Sequence, residues 1–172
     1  MTYEEWLRTV DDSHQMTTAK SHLAELCGIV AGQSWRILEL GSHAGISAAA
    51  MALAAPDSMI VAVDLCDTLP QWYREAYWSQ LGITNIQPIA NDAGTVLSDA
   101  KHVERWDFVF HDAAHGESAL REYLVAASIT NRLAIHDWEQ LSPASQSKVA
   151  VMFTSWTATT DDRGRQLFVG HK

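Results

Sequence analysis

The sequence predicts an α/β fold: a doubly wound, mostly parallel sheet with helices on both faces and an antiparallel hairpin at its C-terminal end. Three observations carry this. Short, near-continuous apolar runs recur, each ending in a glycine or a polar residue, as parallel strands buried on both faces do. Helical patterns alternate with these runs, which implies βαβ units. The last two runs are joined only by a turn-rich DDRG link, too short for a crossover helix, so they must fold back on each other.

Five runs supply the parallel strands: RILELG (36–41), MIVAVDL (59–65), NIQPIA (85–90), WDFVFHD (106–112) and RLAIHD (132–137). SWTATT and RQLFVG supply the hairpin. Helices are expected at Thr18–Val30, Ile46–Ala54 (stopped by Pro56), Gln71–Leu81, Ala93–Ala100, Glu117–Ala127 and near Ser145–Phe153. No repeat, low-complexity tract or linker divides the chain. Its 172 residues are therefore expected to form one domain, with N-terminal helices to residue 31 and the sheet-bearing core from residue 32.

The formal charge is −9 and the basic residues are scattered, so nucleic acid and anionic membranes are not expected partners. With no apolar run long enough to span a bilayer and no leader pattern, the chain reads as cytoplasmic. Cys27 and Cys66 have neither disulfide-framework nor zinc spacing and read as reduced thiols.

In open sheets of this kind ligands sit beyond the carboxyl ends of the strands. Those ends carry Glu39 and Gly41, Asp64, Asn91 and Asp92, His111 and Asp112, and His136 and Asp137. Any one of these could be a loop residue or a helix cap; five polar ends together point to a site. Gly41 and Gly45, in ELGSHAGISA, bracket the turn from the first strand into an alanine-rich helix, where missing side chains let a ligand reach backbone N–H groups. A dinucleotide fingerprint would need glycine where His43 stands, which argues against a nicotinamide-dependent enzyme. Asp64 can accept both hydroxyls of a ribose, and Glu39 suits a cationic group better than a phosphate. Together they describe a positively charged nucleoside.

That combination resembles the class I S-adenosylmethionine-dependent methyltransferases, from about Met16 to the C-terminus. LELGSHAGISAAAM looks like the first motif of the catechol and caffeoyl-CoA O-methyltransferase group and of related small bacterial methyltransferases. The resemblance implies a Rossmann-like, seven-stranded order and S-adenosyl-L-methionine as cofactor. It places Glu39 and Gly41 near the methionine moiety, Ser47 on its carboxylate, Asp64 on the ribose and Asp92 by the adenine, with Gly45 also counted among the cofactor-binding residues.

HDAAH (111–115) and HDW (136–138) end neighbouring strands, so Asp112 and Asp137 are expected side by side near the cofactor's methyl group. Two carboxylates that close need a cation or a proton between them, and hard oxygen ligands suit magnesium, manganese or calcium. In the resembling enzymes an acid after the fourth strand and an acid–amide pair after the fifth bind a divalent metal such as Mg. Asp112 and Asp137 match the acids, but Trp138 replaces the amide. Either Glu139, a nearby histidine or water completes the set, or no metal binds. His115 stands where those enzymes carry a lysine, and an imidazole can take a hydroxyl proton near neutral pH; the alternative is a histidine that caps a loop.

Strand alternation assigns His111 and His136 to the core or to support of the site, and His43 to the turn. Trp72, Tyr73, Tyr77 and Trp78 read as a packed helical stripe, and Trp138 as one wall of an acceptor pocket. The expected function is methyl transfer to a small-molecule acceptor, most directly a hydroxyl oxygen. The competing reading is a noncatalytic nucleoside-binding or scaffold protein of the same fold. The short segment before Met16 suggests a pocket that is either open or completed by a partner chain, which would make a homo-oligomer.

Overall fold

The computed structural model describes residues 2–10, 18–103 and 105–172, with only the backbone of 101–103. Met16, where the resemblance begins, lies outside them. The elements follow in the order α1 (Tyr3–Leu7), α2 (Lys20–Val30), β1 (Arg36–Leu40), α3 (Ile46–Ala54), β2 (Met59–Asp64), α4 (Gln71–Gln80), β3 (Ile86–Ala90), α5 (Ala93–Val103), β4 (Phe108–His111), α6 (Leu120–Ile129), β5 (Arg132–His136), α7 (Pro143–Ala150), β6 (Ser155–Thr160) and β7 (Gln166–His171). Seven strands form one sheet in the order β3-β2-β1-β4-β5-β7-β6. The first five are parallel; β7 runs antiparallel to both β5 and β6. This is the expected Rossmann-like arrangement with its C-terminal hairpin.

Strand alternation divides the interior into two layers. Ile37, Ala62, Phe110 and Ala134 face the layer made by α1 to α4. Leu38, Val63, Val109 and Ile135 face α5 to α7. The alanine run of α3 lets this helix lie close against the sheet and α2, and Ala48, Ala49 and Ala50 are wholly buried. Pro88 is accommodated because β3 is an edge strand that pairs only with β2.

Several boundaries differ from expectation for visible reasons. β4 begins at Phe108, because Trp106 makes only an isolated bridge to Thr130. Glu117 does not open α6; it sits in a 3-10 turn (Gly116–Ala119), and its carboxylate accepts from Ser142 N and Ser145 Oγ, both at 2.7 Å. α7 starts at Pro143 behind the Ser142 cap and stops at Ala150, short of Phe153. Cys27 is buried, and burial pushes its thiol up to about 12; Cys66 is half-buried, and both are free. Among the described residues no helix is long and apolar enough to cross a membrane.

Candidate active site

A cavity of about 500 Å³ opens at the carboxyl ends of the parallel strands, within the size range of small-molecule sites. Gly41, His43, Asp64, Asp92, Asp112, His115, His136 and Asp137 all line it. The strand-end residues singled out by sequence therefore largely converge on one volume. Glu39, Gly45, Ser47 and Trp138 are not part of this wall.

The glycine turn answers a further demand, from the protein's own packing. At Gly41, with φ +88°, an added Cβ would fall 2.4 Å from the Asp112 carbonyl oxygen. At Gly45, with φ +78°, it would fall 2.7 Å from the Trp78 indole nitrogen, which donates to the Gly45 carbonyl (2.8 Å). Both bare positions admit neighbouring protein: the end of β4 at Gly41, the Trp78 ring at Gly45. His43, at φ +39°, takes the left-handed conformation without being glycine, and its backbone N–H goes to Asp64 Oδ2 (2.7 Å).

Asp64 is held from two sides, since Cys66 N donates to its Oδ1 (2.8 Å). With one donor on each oxygen, each keeps acceptor capacity, and the residue lines the cavity. Behind it lies Arg74, fully buried, donating to Ser42 Oγ and Cys66 Sγ and 3.8 Å from Asp64 Oδ1. Sequence reasoning missed Arg74. Its signal was the spacing to Trp78, which puts a charge on the buried face of α4. The packed stripe is Arg74 with Trp78, while Trp72 and Tyr73 are exposed and Tyr77 accepts from Trp6 Nε1 (3.0 Å).

Glu39 is wholly buried, and Ser47 Oγ donates to its Oε1. Burial pushes the Glu39 carboxyl up to about 8, against the opposing pull of the Ser47 hydrogen bond. Glu39 thus packs beneath α3 beside Ser47, behind the glycine turn. Ser47 borders a small side pocket with Gly41 and His43. Asp92 caps α5, accepting from Thr95 N (2.9 Å) and Thr95 Oγ1 (3.1 Å), and also faces the cavity.

At the β4–β5 end the two acids do meet, with a histidine between them. His136 Nδ1 is 2.9 Å from Asp112 Oδ1 and 3.4 Å from Asp137 Oδ1. Burial lowers the basicity of His136, but the hydrogen bond and charge of Asp112, then the charge of Asp137, outweigh it, and its pKa is raised. His136 is buried and backs Asp112, in keeping with a core or supporting residue, and it also borders the cavity. Donor atoms of Asp112, His136 and Asp137 lie within 4.8 Å of one another, so the three could hold a metal ion. Thr18 Oγ1 donates to Asp112 Oδ2 (3.3 Å). Asp137, at φ +56°, turns its carboxylate back across the cavity, where Oδ2 stands 3.5 Å from His115 Nδ1.

Trp138 is 3% exposed and stacked on Phe168, with ring centroids 4.3 Å apart. It is core, not the wall of an acceptor pocket, because the left-handed turn at Asp137 swings the next residue under the sheet. His111 is also buried, with Nε2 2.9 Å from Glu122 Oε2.

With this geometry in view, residues 38–153 match a family described as a methyltransferase domain. The chain belongs to that family. Among solved structures it is similar to the O-methyltransferase TomG from Streptomyces achromogenes, crystallised with SAM: TM-score 0.70, 15% identity, 90% of this chain and 80% of that one covered. It is similar to an O-methyltransferase from Bacillus cereus in complex with SAH, with a TM-score of 0.72 and 12% identity over 99% and 89% of the two chains. It also resembles a precorrin-6y C5,15-methyltransferase from Geobacter metallireducens, with a TM-score of 0.68 and 10% identity over 94% of both chains. No curated relative matches in sequence. These likenesses place the fold with the class I methyltransferases, and the family membership sets the nicotinamide alternative aside.

Proposed function

We propose that this methyltransferase uses S-adenosylmethionine to methylate a hydroxyl oxygen of a small molecule, with His115 as general base. The observation that carries this is His115 beside Asp137, 3.5 Å from carboxylate oxygen to Nδ1, in the cavity that Asp64 also lines. Bound S-adenosylmethionine supplies an electrophilic methyl carbon on a sulfonium. The chain supports that in three ways. Asp64, fixed by two backbone N–H groups, is set to accept the ribose hydroxyls. Asp137 orients His115 by its Nδ1, leaving Nε2 to take the acceptor's proton, and stabilises the imidazolium that forms. Apo distances between such partners are often long and tighten when substrate binds. The proton between Asp112 and Asp137 is held by His136, so the two carboxylates need no metal to coexist.

A divalent metal is the second reading, favoured by the three donor atoms gathered by Asp112, His136 and Asp137. A set with one imidazole nitrogen suits manganese better than magnesium, which prefers oxygen. Metal would displace the His136 proton, so binding should release protons and strengthen as pH rises.

The test is calorimetry with S-adenosylhomocysteine followed by release of S-adenosylhomocysteine in the presence of a panel of hydroxylated acceptors. Asp64→Ala should weaken cofactor binding roughly tenfold or more, from the loss of charged hydrogen bonds. His115→Gln should lower kcat by about a hundredfold or more while leaving cofactor affinity unchanged. Cofactor binding without turnover on any acceptor would favour the scaffold alternative, and full turnover in His115→Gln would remove the base assignment.

A further inference from the structure

The sheet has two edge strands, β3 and β6, and the chain treats them differently. On β3, Asn85 O accepts from β2 and Asn91 N–H donates to it, so strand alternation turns residues 86, 88 and 90 outward. Residue 88 is a proline. It offers no N–H on that side, and a residue of this kind keeps another strand from adding to the edge. β6 pairs with β7 alone and carries no such guard. Its sequence, SWTATT, has no proline and no charge, and all six residues are exposed. Asp161 N–H donates inward to Arg165 O, so the same alternation turns the N–H and C=O groups of Trp156, Ala158 and Thr160 outward.

Those three residues complement themselves when a second β6 runs antiparallel. Ala158 then faces Ala158 of the other copy at a two-fold axis, Trp156 faces Thr160 on either side, and each facing pair exchanges two N–H···O bonds. Trp156 is 51% exposed and its ring is stacked on Phe168, so it is already set to cover the facing threonine. We propose that β6 is the interface of a homodimer in which two copies join edge to edge into one sheet, with seven strands from each. Charge favours a second copy as the occupant. At the Thr160 end, Asp162 follows the strand, Glu25 accepts from Thr159 Oγ1 (2.6 Å) and Glu139 accepts from Gln166 N (2.7 Å). Against these three acids stands Arg163, since Arg165 is paired with Asp161. The Ser155 end is basic: it lies beside His171 and Lys172, next to Arg132 and within reach of the Arg105 charge. Antiparallel pairing lays each acidic end against the other copy's basic end, so a chain of net charge −9 meets itself without like charges at the contact. The same axis sends the two cavities to opposite edges of the joined sheet, and each site keeps its own opening.

The experiment is sedimentation equilibrium of the full chain across about two decades of micromolar concentration, at low and high salt. The wild-type mass should double as concentration rises, and added salt should weaken the dimer by screening its paired ends. Ala158→Pro removes the central outward N–H, as Pro88 does on β3, and Ala158→Lys sets two ammonium groups face to face. Each should weaken the dimer about tenfold or more. The melting temperature at concentrations where the protein is monomeric should not move, because Ala158 is exposed and its N–H does not serve the β7 ladder. A wild-type protein that stays monomeric throughout overturns the proposal. So does a dimer that both variants keep, since it is joined elsewhere, and so does an assembly larger than a dimer, since two-fold strand pairing closes. If Ala158→Pro fails to fold, Ala158→Lys leaves the backbone as it is and decides the matter alone.

Discussion

The buried acid Glu39 makes the stability of this protein depend on pH in a direction opposite to that of most carboxylates. Its carboxyl, ordinarily near 4.5, is pushed up to about 8 by burial under α3. The folded state therefore holds a proton that the unfolded chain gives up. Stability from this group is fully present below the unfolded value and is lost as pH rises through the folded one. The linkage relation puts the loss at roughly 3–4 kcal/mol between pH 5 and pH 8. Other groups titrate as well: His136, also raised, adds a loss in the same direction, and His22, lowered by burial, opposes it. Glu39→Gln isolates the effect, since the amide copies the protonated carboxyl in shape and still accepts from Ser47. The measurement is urea unfolding of the wild-type and variant proteins at half-unit steps from pH 5 to pH 9. Any constant cost of the amide offsets the two curves; the shape carries the test. The gap should move by about 3 kcal/mol in the variant's favour between pH 5 and pH 8. Parallel curves would mean that Glu39 is ionised in the folded protein, and that a buried cation compensates it.

Three other outcomes follow from contacts already described. Gly45→Ala should destabilise by roughly 2–3 kcal/mol in thermal melts, because a Cβ at φ +78° strikes the Trp78 indole; an unchanged melting temperature would refute that packing. Trp138→Ala should cost about 3–5 kcal/mol through the cavity left against Phe168, with little change in KM for any acceptor. A raised KM at near-normal stability would return Trp138 to the acceptor wall. Manganese titrated into the apo protein in two buffers of different ionisation enthalpy should show buffer-dependent heat if it displaces the His136 proton. Absence of heat, with chelator-insensitive turnover, would leave His136 as the sole cation between the acids.

Most of the sheet was legible because parallel strands buried on both faces read as unbroken apolar runs, and only the boundaries moved. The 3-10 turn at Gly116–Ala119 was hidden because Glu117 looks like a first-turn helix acid; its partners, Ser142 and Ser145, are remote in sequence. The site was legible as a set of strand ends and less so as a set of roles. Counting from the strand ends sets Asp112 beside Asp137, but the register that pairs Phe110 with Ala134 and His111 with Ile135 carries on to set Asp112 beside His136, on the same face of the sheet. Trp138 was misplaced because the left-handed residue at 137 reverses the chain. Glycine at 41 and 45 was readable as a demand for bare backbone, but not as whose approach required it, because Asp112 and Trp78 arrive from later elements.

The acids and histidines at the strand ends share one physical arrangement. Asp64 is set by two backbone N–H groups with Arg74 behind it, Glu122 by His111, and Asp112 by His136 and Thr18. In each case a buried or half-buried donor occupies one side of the carboxylate and leaves its remaining lone pairs to the cavity. Unsupported carboxylates along a shared wall would repel one another and shift toward protonation. Donor-backed ones stay in fixed positions without a ligand to hold them there. Pre-set acceptors of this kind lower the ordering cost of binding a nucleoside. Loss of Arg74 should therefore weaken cofactor binding without rearranging the sheet, since the Asp64 carboxylate would lose the buried cation behind it.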